Sequence, residues 1–592
     1  MAENVNTVEN TKSRASFARL FKYAKYAGGP LSCGIILTVL TVGLDLAGPY
    51  LISRLLDGEL VAGIGARDYK VFTWIIVLYA LSVMLSLVTR YTAAISNQTA
   101  ANRISVVMQR EVMNHVQNMP VSYFDTLAAG TVVSRITNDT KAVRIFFTTV
   151  LSQLTMAGVF AIGILLGLLS VDWRLFLIAS VSFPFLFFLF RDFQRKSLLY
   201  SRKARRGLSR LNASMNENIQ GIEVIQSLNR ERSMYDLYGR INDDVFRYGL
   251  GMTRLHSYSG HNAADSMNYL MLCFALLYFG LGNILELSIV PIGHLYLFID
   301  YMIRFFAQMN RAMQHLGNLE RARGAADHIF ELLDREALAD DGIPVDQIEG
   351  RVAFENVTFS YKEDEIILHN VSFDVPKGMT AAFVGQTGAG KSTVMNLLFS
   401  FYQPDSGRVL IDGKDLSELN RKSIRSHMAI VTQEPFLFTG TVESNITLNR
   451  PWLSSEDARR ALIEVGGGAF LAHLPEGVKT AVRERGNEFS AGERQLISFA
   501  RALAQNPTIL ILDEATSHID TETEDIIQRG IERLSKGRTT LIIAHRLSTI
   551  RHASMIYVLD QGEIVEAGSH AELLAQGGLF AHMVETQTRQ AG

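Results

Sequence analysis

The sequence is short of cysteine and of net charge, and parts of it are short of proline and glycine; each shortage excludes something. Only two cysteines occur in 592 residues, Cys33 and Cys273, and both fall in apolar segments. They cannot form a disulfide framework, and their spacing is not that of a metal site. Net charge is −2 with no strongly basic tail, so no nucleic acid partner is expected. A cleavable leader is also missing from the pattern. About thirty mostly polar residues, with Lys12, Arg14, Arg19, Lys22 and Lys25 among them, precede the first apolar run.

What is present divides the chain. Residues are 48% hydrophobic yet 20% charged, and the length is too great for one core, so one part in lipid and another in water is expected. Apolar stretches approaching the roughly 20 residues that cross a bilayer lie near 31–53 and 71–89. A longer one, Ile145 to Phe190, is interrupted at Asp172-Trp173-Arg174 and reads as a helical hairpin with an outside turn. Its second half, Leu175–Phe190, is short and must recruit flanking residues such as Arg191. Two more lie near 263–285 and 288–308, separated by Glu286, which makes six spans. Positive charge ahead of the first span places the N-terminus, and with six spans the C-terminal half, in the cytoplasm of a multi-pass membrane protein.

The polar stretches 90–143 and 191–262 are each over fifty residues, helical in pattern and poor in Pro and Gly. They are read as spans continuing as helices into the cytoplasm, with an independently folded insert as the alternative. The layout expected is a cytoplasmic segment 1–30, a membrane domain 31–325, a linker 326–348 and a nucleotide-binding domain 349–592. In that last part β-rich segments (Val352–Tyr361, Ile366–Val375, Met379–Val384, Ile430–Thr432, Thr508–Leu512, Thr539–Ile543, Met555–Leu559) alternate with helices. The fold class is thus an all-α six-helix transmembrane domain fused to an α/β phosphate-loop domain.

Gly385-Gln386-Thr387-Gly388-Ala389-Gly390-Lys391-Ser392 matches G-x-x-x-x-G-K-[ST]. It follows an apolar strand and opens a helix at Thr393, the context the motif needs. Its glycines let backbone N–H groups converge on the phosphates of ATP. Lys391 is expected to neutralise the β- and γ-phosphates and Ser392 to ligate Mg²⁺. About 120 residues later, Ile509-Leu-Ile-Leu-Asp513-Glu514 is an apolar strand ending in two carboxylates. Buried strands present such residues at the carboxyl edge of an open α/β sheet. Asp513 suits the Mg²⁺ shell and Glu514 the general base that polarises water; two adjacent acids also occur as a plain loop start.

Between these, Phe489-Ser490-Ala491-Gly492-Glu493-Arg-Gln-Leu opens a helix, and a Ser and a Gly there make a second anion site. This segment resembles the signature of ATP-binding cassette (ABC) proteins, commonly Leu-Ser-Gly-Gly-Gln. The resemblance implies that one subunit's signature covers the γ-phosphate held by the other, so ATP is sandwiched in a dimer. It further implies that Tyr361 stacks on adenine, that Gln433 meets Mg²⁺ or water and contacts the membrane domain, that Ser517–Asp520 links the two sites, and that His545 contacts the γ-phosphate. An ordinary structural histidine is the alternative for His545. Residues 119–139 and 216–231 resemble the two cytoplasmic loops of ABC exporters, whose coupling helices seat on the ATPase domains.

Departures from the pattern carry information. Phe489 stands for Leu, Ala491 for Gly and Glu493 for Gln, and Val482-Arg483-Glu484-Arg485-Gly486 carries Arg where the family commonly has Gly. Ala491 adds a Cβ where backbone approaches phosphate, and Glu493 adds negative charge, although it also suits a helix N-terminus. With Lys391, Asp513, Glu514 and His545 intact, the chain resembles one subunit of bacterial heterodimeric multidrug exporters. The implied partner is a distinct half-transporter with a normal signature and a degenerate catalytic Glu; the site using Ser490 and Gly492 of this chain would turn over slowly. Drift in a homodimer is the alternative.

The cargo expected is an amphipathic small molecule, with lipid or peptide export by the same machinery and an ATP-gated channel as rivals. Asp45, mid-span, is the best substrate-contact candidate because an intramembrane charge must be paired or face a water-filled cavity. Asp265, His294, Asp300 and Arg304 divide between the same two readings, as do Phe146, Phe147, Phe298, Phe305 and Phe306 between a binding site and plain packing.

Overall fold

The computed structural model describes residues 15–60, 69–127, 129–259, 261–284, 291–338, 342–362, 365–513, 521–544 and 550–591. They fall into two compact units, residues 1–118 with 127–336, and residues 119–126 with 337–592. The first is helical. Its long elements are α1 (Ala15–Gly58), α2 (Lys70–Gln117), α3 (Gly130–Val171), α4 (Trp173–Gln220), α5 (Glu231–Ser259), α6 (His261–Ile284) and α7 (Ile292–Leu333). The polar stretches 90–143 and 191–262 are largely parts of these helices, not an inserted fold. The hairpin break falls where expected. Asp172 is extended (φ −153°, ψ 122°) and its carboxylate accepts from the Arg174 backbone N–H at 2.8 Å, capping α4.

Taken alone, α1, α2 and α3 are long and apolar enough to cross a bilayer, while α4 and α6 carry shorter apolar stretches, Trp173–Phe185 and Asp265–Leu281. Polar groups lie in the last two predicted spans: Asp265 accepts from Asn310 of α7, and Asp300 pairs with Arg304 on its own helix. Residue 285 of the fifth predicted span and residues 288–290 of the sixth lie outside the described residues. Helix α7 runs on to Leu333, into the segment expected as a linker. The core of this unit packs α1, α3, α4, α6 and α7 through Leu46, Phe160, Ile164, Leu175, Phe279, Phe298 and Phe305. Two turns of α3 are π-helical, Arg135–Asp139 and Phe146–Val150.

The second unit is α/β. Strands β1 (Val352–Lys362), β2 (Glu365–Val375), β3 (Thr380–Gly385), helix α8 (Lys391–Leu398), β4 (Ser406–Ile411), β5 (Lys414–Asp415), β6 (Met428–Val431), α9 (Ala491–Ala504), β7 (Ile509–Asp513), α10 (Thr521–Ser535), β8 (Thr539–Ile543), β9 (Met555–Asp560) and β10 (Glu563–Gly568) form two sheets. One is ordered β2-β1-β4-β5 and the other β10-β9-β3-β8-β7-β6. In the larger sheet all neighbours except β9–β10 run parallel. Its central strands β7 and β8 are buried along almost their whole length because both faces are covered, which is what parallel sheets require. Strands β4, β5 and β10 had too little apolar alternation to be read from sequence.

Candidate ATP site

Strand register assembles the site. Parallel pairing sets Phe383 beside Ile543, Ile543 beside Asp513, and Leu512 beside Val431. The carboxyl ends of β3, β8, β7 and β6 are therefore level. From them follow, within a few residues of chain, the phosphate loop, Ala544, Asp513 and Gln433. Glu514, His545 and the Ser517–Asp520 segment lie outside the described residues. Asp513 is half-buried and Gln433 exposed at this edge. Ser392, exposed, sits in the first turn of α8, and Thr393 beside it is buried.

The loop can be built only with glycine at its ends. A Cβ on Gly385 would stand 2.2 Å from the Leu559 carbonyl oxygen, and one on Gly390 2.5 Å from Leu368 Cδ2. Gly388 and Gly390 are left-handed, φ +89° and +98°, a region where a side chain is strained. Gln386 and Thr387 are exposed and Ala389 is buried beneath them. Lys391 is 5% exposed, and its Nζ donates to the carbonyls of Gly385 (2.7 Å) and Gln386 (2.9 Å). An ammonium and a helix N-terminus thus share one concave loop, which fits an oligophosphate.

Tyr361 ends β1 beside this loop. It keeps 44% exposure while its ring is fixed from the sides, edge-on to Phe359 (4.9 Å) and Tyr402 (5.1 Å). Its hydroxyl accepts from Asn396 Nδ2 at 2.9 Å. A rigid, exposed aromatic face is what a purine base needs. Tyr402 in turn donates its hydroxyl to Asp125 in the short helix Val121–Thr126, which groups with this unit. Burial, then that bond, push the Tyr402 phenol well above its ordinary range.

The signature helix carries a closed capping box. Ser490 Oγ accepts from the Glu493 backbone N–H at 3.2 Å, and the Glu493 carboxylate accepts from the Ser490 N–H at 2.7 Å. Glu493 is therefore turned back on the helix end. Phe489 is buried edge-on to Phe470 at 5.7 Å, Ala491 is exposed and Gly492 buried. Arg483 is extended at φ −83°, with its N–H on Glu488 at 2.7 Å, whereas Arg485 is left-handed at φ 59°.

Comparison with known proteins decides the family. Residues 31–309 match the family described as ABC transporter transmembrane region, and residues 368–517 the family described as ABC transporter. The “Probable multidrug resistance ABC transporter ATP-binding/permease protein YheH” of Bacillus subtilis (strain 168) is 42% identical over 88% of this chain and 78% of its own length. The chain belongs to the ABC transporter family. A Staphylococcus aureus (strain NCTC 8325 / PS 47) protein named for multidrug export is 32% identical over 97% of this chain and 99% of its own length. A solved bacterial Atm1-family ABC exporter with ATP bound superposes with a TM-score of 0.81 at 26% identity, covering 96% of this chain and 100% of that one. Helical transmembrane and ATP-binding domains in one chain make this an ABC exporter whose ATPase is coupled to transport.

The exporter's intramembrane charges are paired with one another. Asp45 accepts from Arg90 and Ser86, each at 2.6 Å. Of the two readings of Asp45, pairing is the one this geometry meets. Asp265 accepts from Asn310 at 2.9 Å, His294 lies 3.7 Å from Asp57, and Asp300 binds Arg304 one turn on. The five phenylalanines are at most 2% exposed, so they pack between helices. Sequence reasoning missed Asn396, Tyr402 and Asn445, whose residue types carry no motif. It also missed Arg501, a half-buried residue whose guanidinium donates to Asn445 O (2.8 Å) and Phe436 O (3.1 Å), which braces the segment following Gln433.

Proposed function

We propose that this chain is the hydrolytic half of an ATP-driven exporter of amphipathic small molecules, working with a distinct second subunit. The capping box at the signature carries this reading. An anion-binding helix end works through its spare N–H groups and positive dipole. Here the group that closes the box is a carboxylate, whose negative charge offsets the dipole, so this signature holds phosphate weakly. The hydrolytic side is complete in sequence: Lys391 for the phosphates, Glu514 to polarise water, His545 and Gln433 beside the γ-phosphate. Ser392, Asp513 and Gln433 are the hard oxygen donors that suit Mg²⁺ alongside phosphate oxygens, and the ion would spread the charge developing on transfer.

The productive site then joins this chain's Lys391 and Glu514 to a normal signature from a partner whose own catalytic Glu is degenerate. Six spans, with the N-terminus and nucleotide-binding domain cytoplasmic, would alternate access to either side. The names of the Bacillus and Staphylococcus relatives support drug-like cargo. Purification tests the partnership. The chain alone should hydrolyse ATP at most weakly, and a co-produced second subunit should restore drug-stimulated turnover; full coupled turnover by the chain alone would refute it.

A further inference from the structure

Helices α2 and α3 line two successive open clefts, the first shared with Thr38 and Thr41 of α1, and the charge of their walls is one-sided. The upper, about 300 Å³, has Arg90 as its single charged lining residue; the others include Asn97, Ser152 and Gln153. The lower, about 420 Å³, is lined on the same two helices by Lys141 and Arg144, again with no carboxylate. Asp45, which pairs with Arg90, is 11% exposed and also held by Ser86, while the Arg90 head is 56% exposed. The cavity therefore meets the cation of that pair more than the anion. Lys141 and Arg144 make no ion pair among the described residues.

One further observation, the backbone of α3, points to a ligand. The Asn97 carbonyl oxygen turns away from this space, against Gly34 of α1, where an added Cβ would stand 2.1 Å from it. The two π turns of α3 fall where it lines these cavities, Thr137 in one, Thr148 and Thr149 in the other. Such turns widen a helix and re-aim its side chains, and they recur at functional sites.

We propose that this α2–α3 track binds small molecules or head groups bearing an anionic phosphate, sulfonate or carboxylate flanked by hydrogen-bonding groups, seated at Arg90 and entering past Lys141 and Arg144. The proposal deepens the exporter reading by naming a cargo class, anionic amphiphiles. Charge-selective thiol labelling tests it without relying on turnover, so its failure would leave ATP-driven export standing. Ser152→Cys and Thr149→Cys are made separately in a Cys33→Ser, Cys273→Ser background of the full transporter in liposomes; two positions guard against one failing to fold. Each is reacted with sulfonate-bearing and trimethylammonium-bearing methanethiosulfonates, with rates normalised to 2-mercaptoethanol.

The sulfonate reagent should be favoured by about ten-fold, the effect of a local cation at intermediate dielectric. That preference should collapse in Arg90→Gln/Lys141→Gln/Arg144→Gln. Equal rates, a cation preference, or no labelling at either position would overturn the proposal. Protection is then measured with dihexanoylphosphatidylglycerol and with glycerol 3-phosphate. Protection by the lipid alone identifies a head-group site and by both a solute site; protection by neither overturns the ligand.

Discussion

Restoring the family's signature should strengthen the weak ATP site while slightly loosening the helix that carries it. The substitution is Ala491→Gly with Glu493→Gln. The Glu493 carboxylate now accepts the Ser490 N–H at 2.7 Å, inside a box closed by Ser490 Oγ at 3.2 Å. Glutamine can keep that bond, because the box accepts Glu or Gln at this position. What is lost is the charge–dipole term, about 0.3–1 kcal/mol at an exposed helix N-terminus. Glycine at the first helical position adds a cost below the roughly 1 kcal/mol of a helix interior. Folding stability should therefore fall by less than about 1.5 kcal/mol. The same term acts oppositely on a bound phosphate: removing a like charge returns about 1 kcal/mol, a ~5-fold gain in affinity. The assay is ATP titration of the assembled transporter with Glu514→Gln to block hydrolysis, beside its thermal midpoint. A fall in stability with unchanged affinity would show that Glu493 is only a helix cap.

Two further outcomes follow from contacts away from the phosphates. Tyr402→Phe removes the hydroxyl that Asp125 accepts from; the loss, about 1 kcal/mol for one partly exposed bond, should appear as faster amide exchange over residues 119–126. Unchanged exchange there would mean the bond does not hold that segment. His328 lies 3.2 Å from Asp139, and the bond to that carboxylate raises its pKa above 6.5 despite burial. A raised folded-state pKa stabilises fully below about 6.5 and fades as pH climbs through the raised value. Thermal midpoints of wild type and His328→Asn should differ at pH 6 and converge by pH 8.5; a pH-independent gap would refute the pairing.

The parts legible in sequence were those with strong local signals. The Gly385–Ser392 loop, the apolar strand ending at Asp513 and the break at Asp172 were each placed by residue type and spacing alone. Their convergence follows from parallel register, which periodicity cannot reveal. The short strands β4 and β5 were invisible because half-exposed strands carry no continuous apolar run. Asp45 shows a different limit. Its cost in lipid was foreseen, but its remedy, Arg90 from the next helix, is a tertiary pairing between residues 45 positions apart. Likewise, the charge of Glu493 was evident and its orientation was not. The capping box depends on a side-chain rotamer, and that rotamer decides whether the carboxylate faces the phosphate or the helix.

The most direct measurement is uptake of a fluorescent drug into inside-out membrane vesicles carrying the transporter, wild type against Glu514→Gln. If ATP hydrolysis at this chain drives export, wild-type vesicles accumulate the drug against its gradient, only with ATP and sensitively to vanadate. The variant should still bind ATP but lose a hundred-fold or more of uptake, about the contribution of a positioned general base. Undiminished uphill uptake by Glu514→Gln would contradict it.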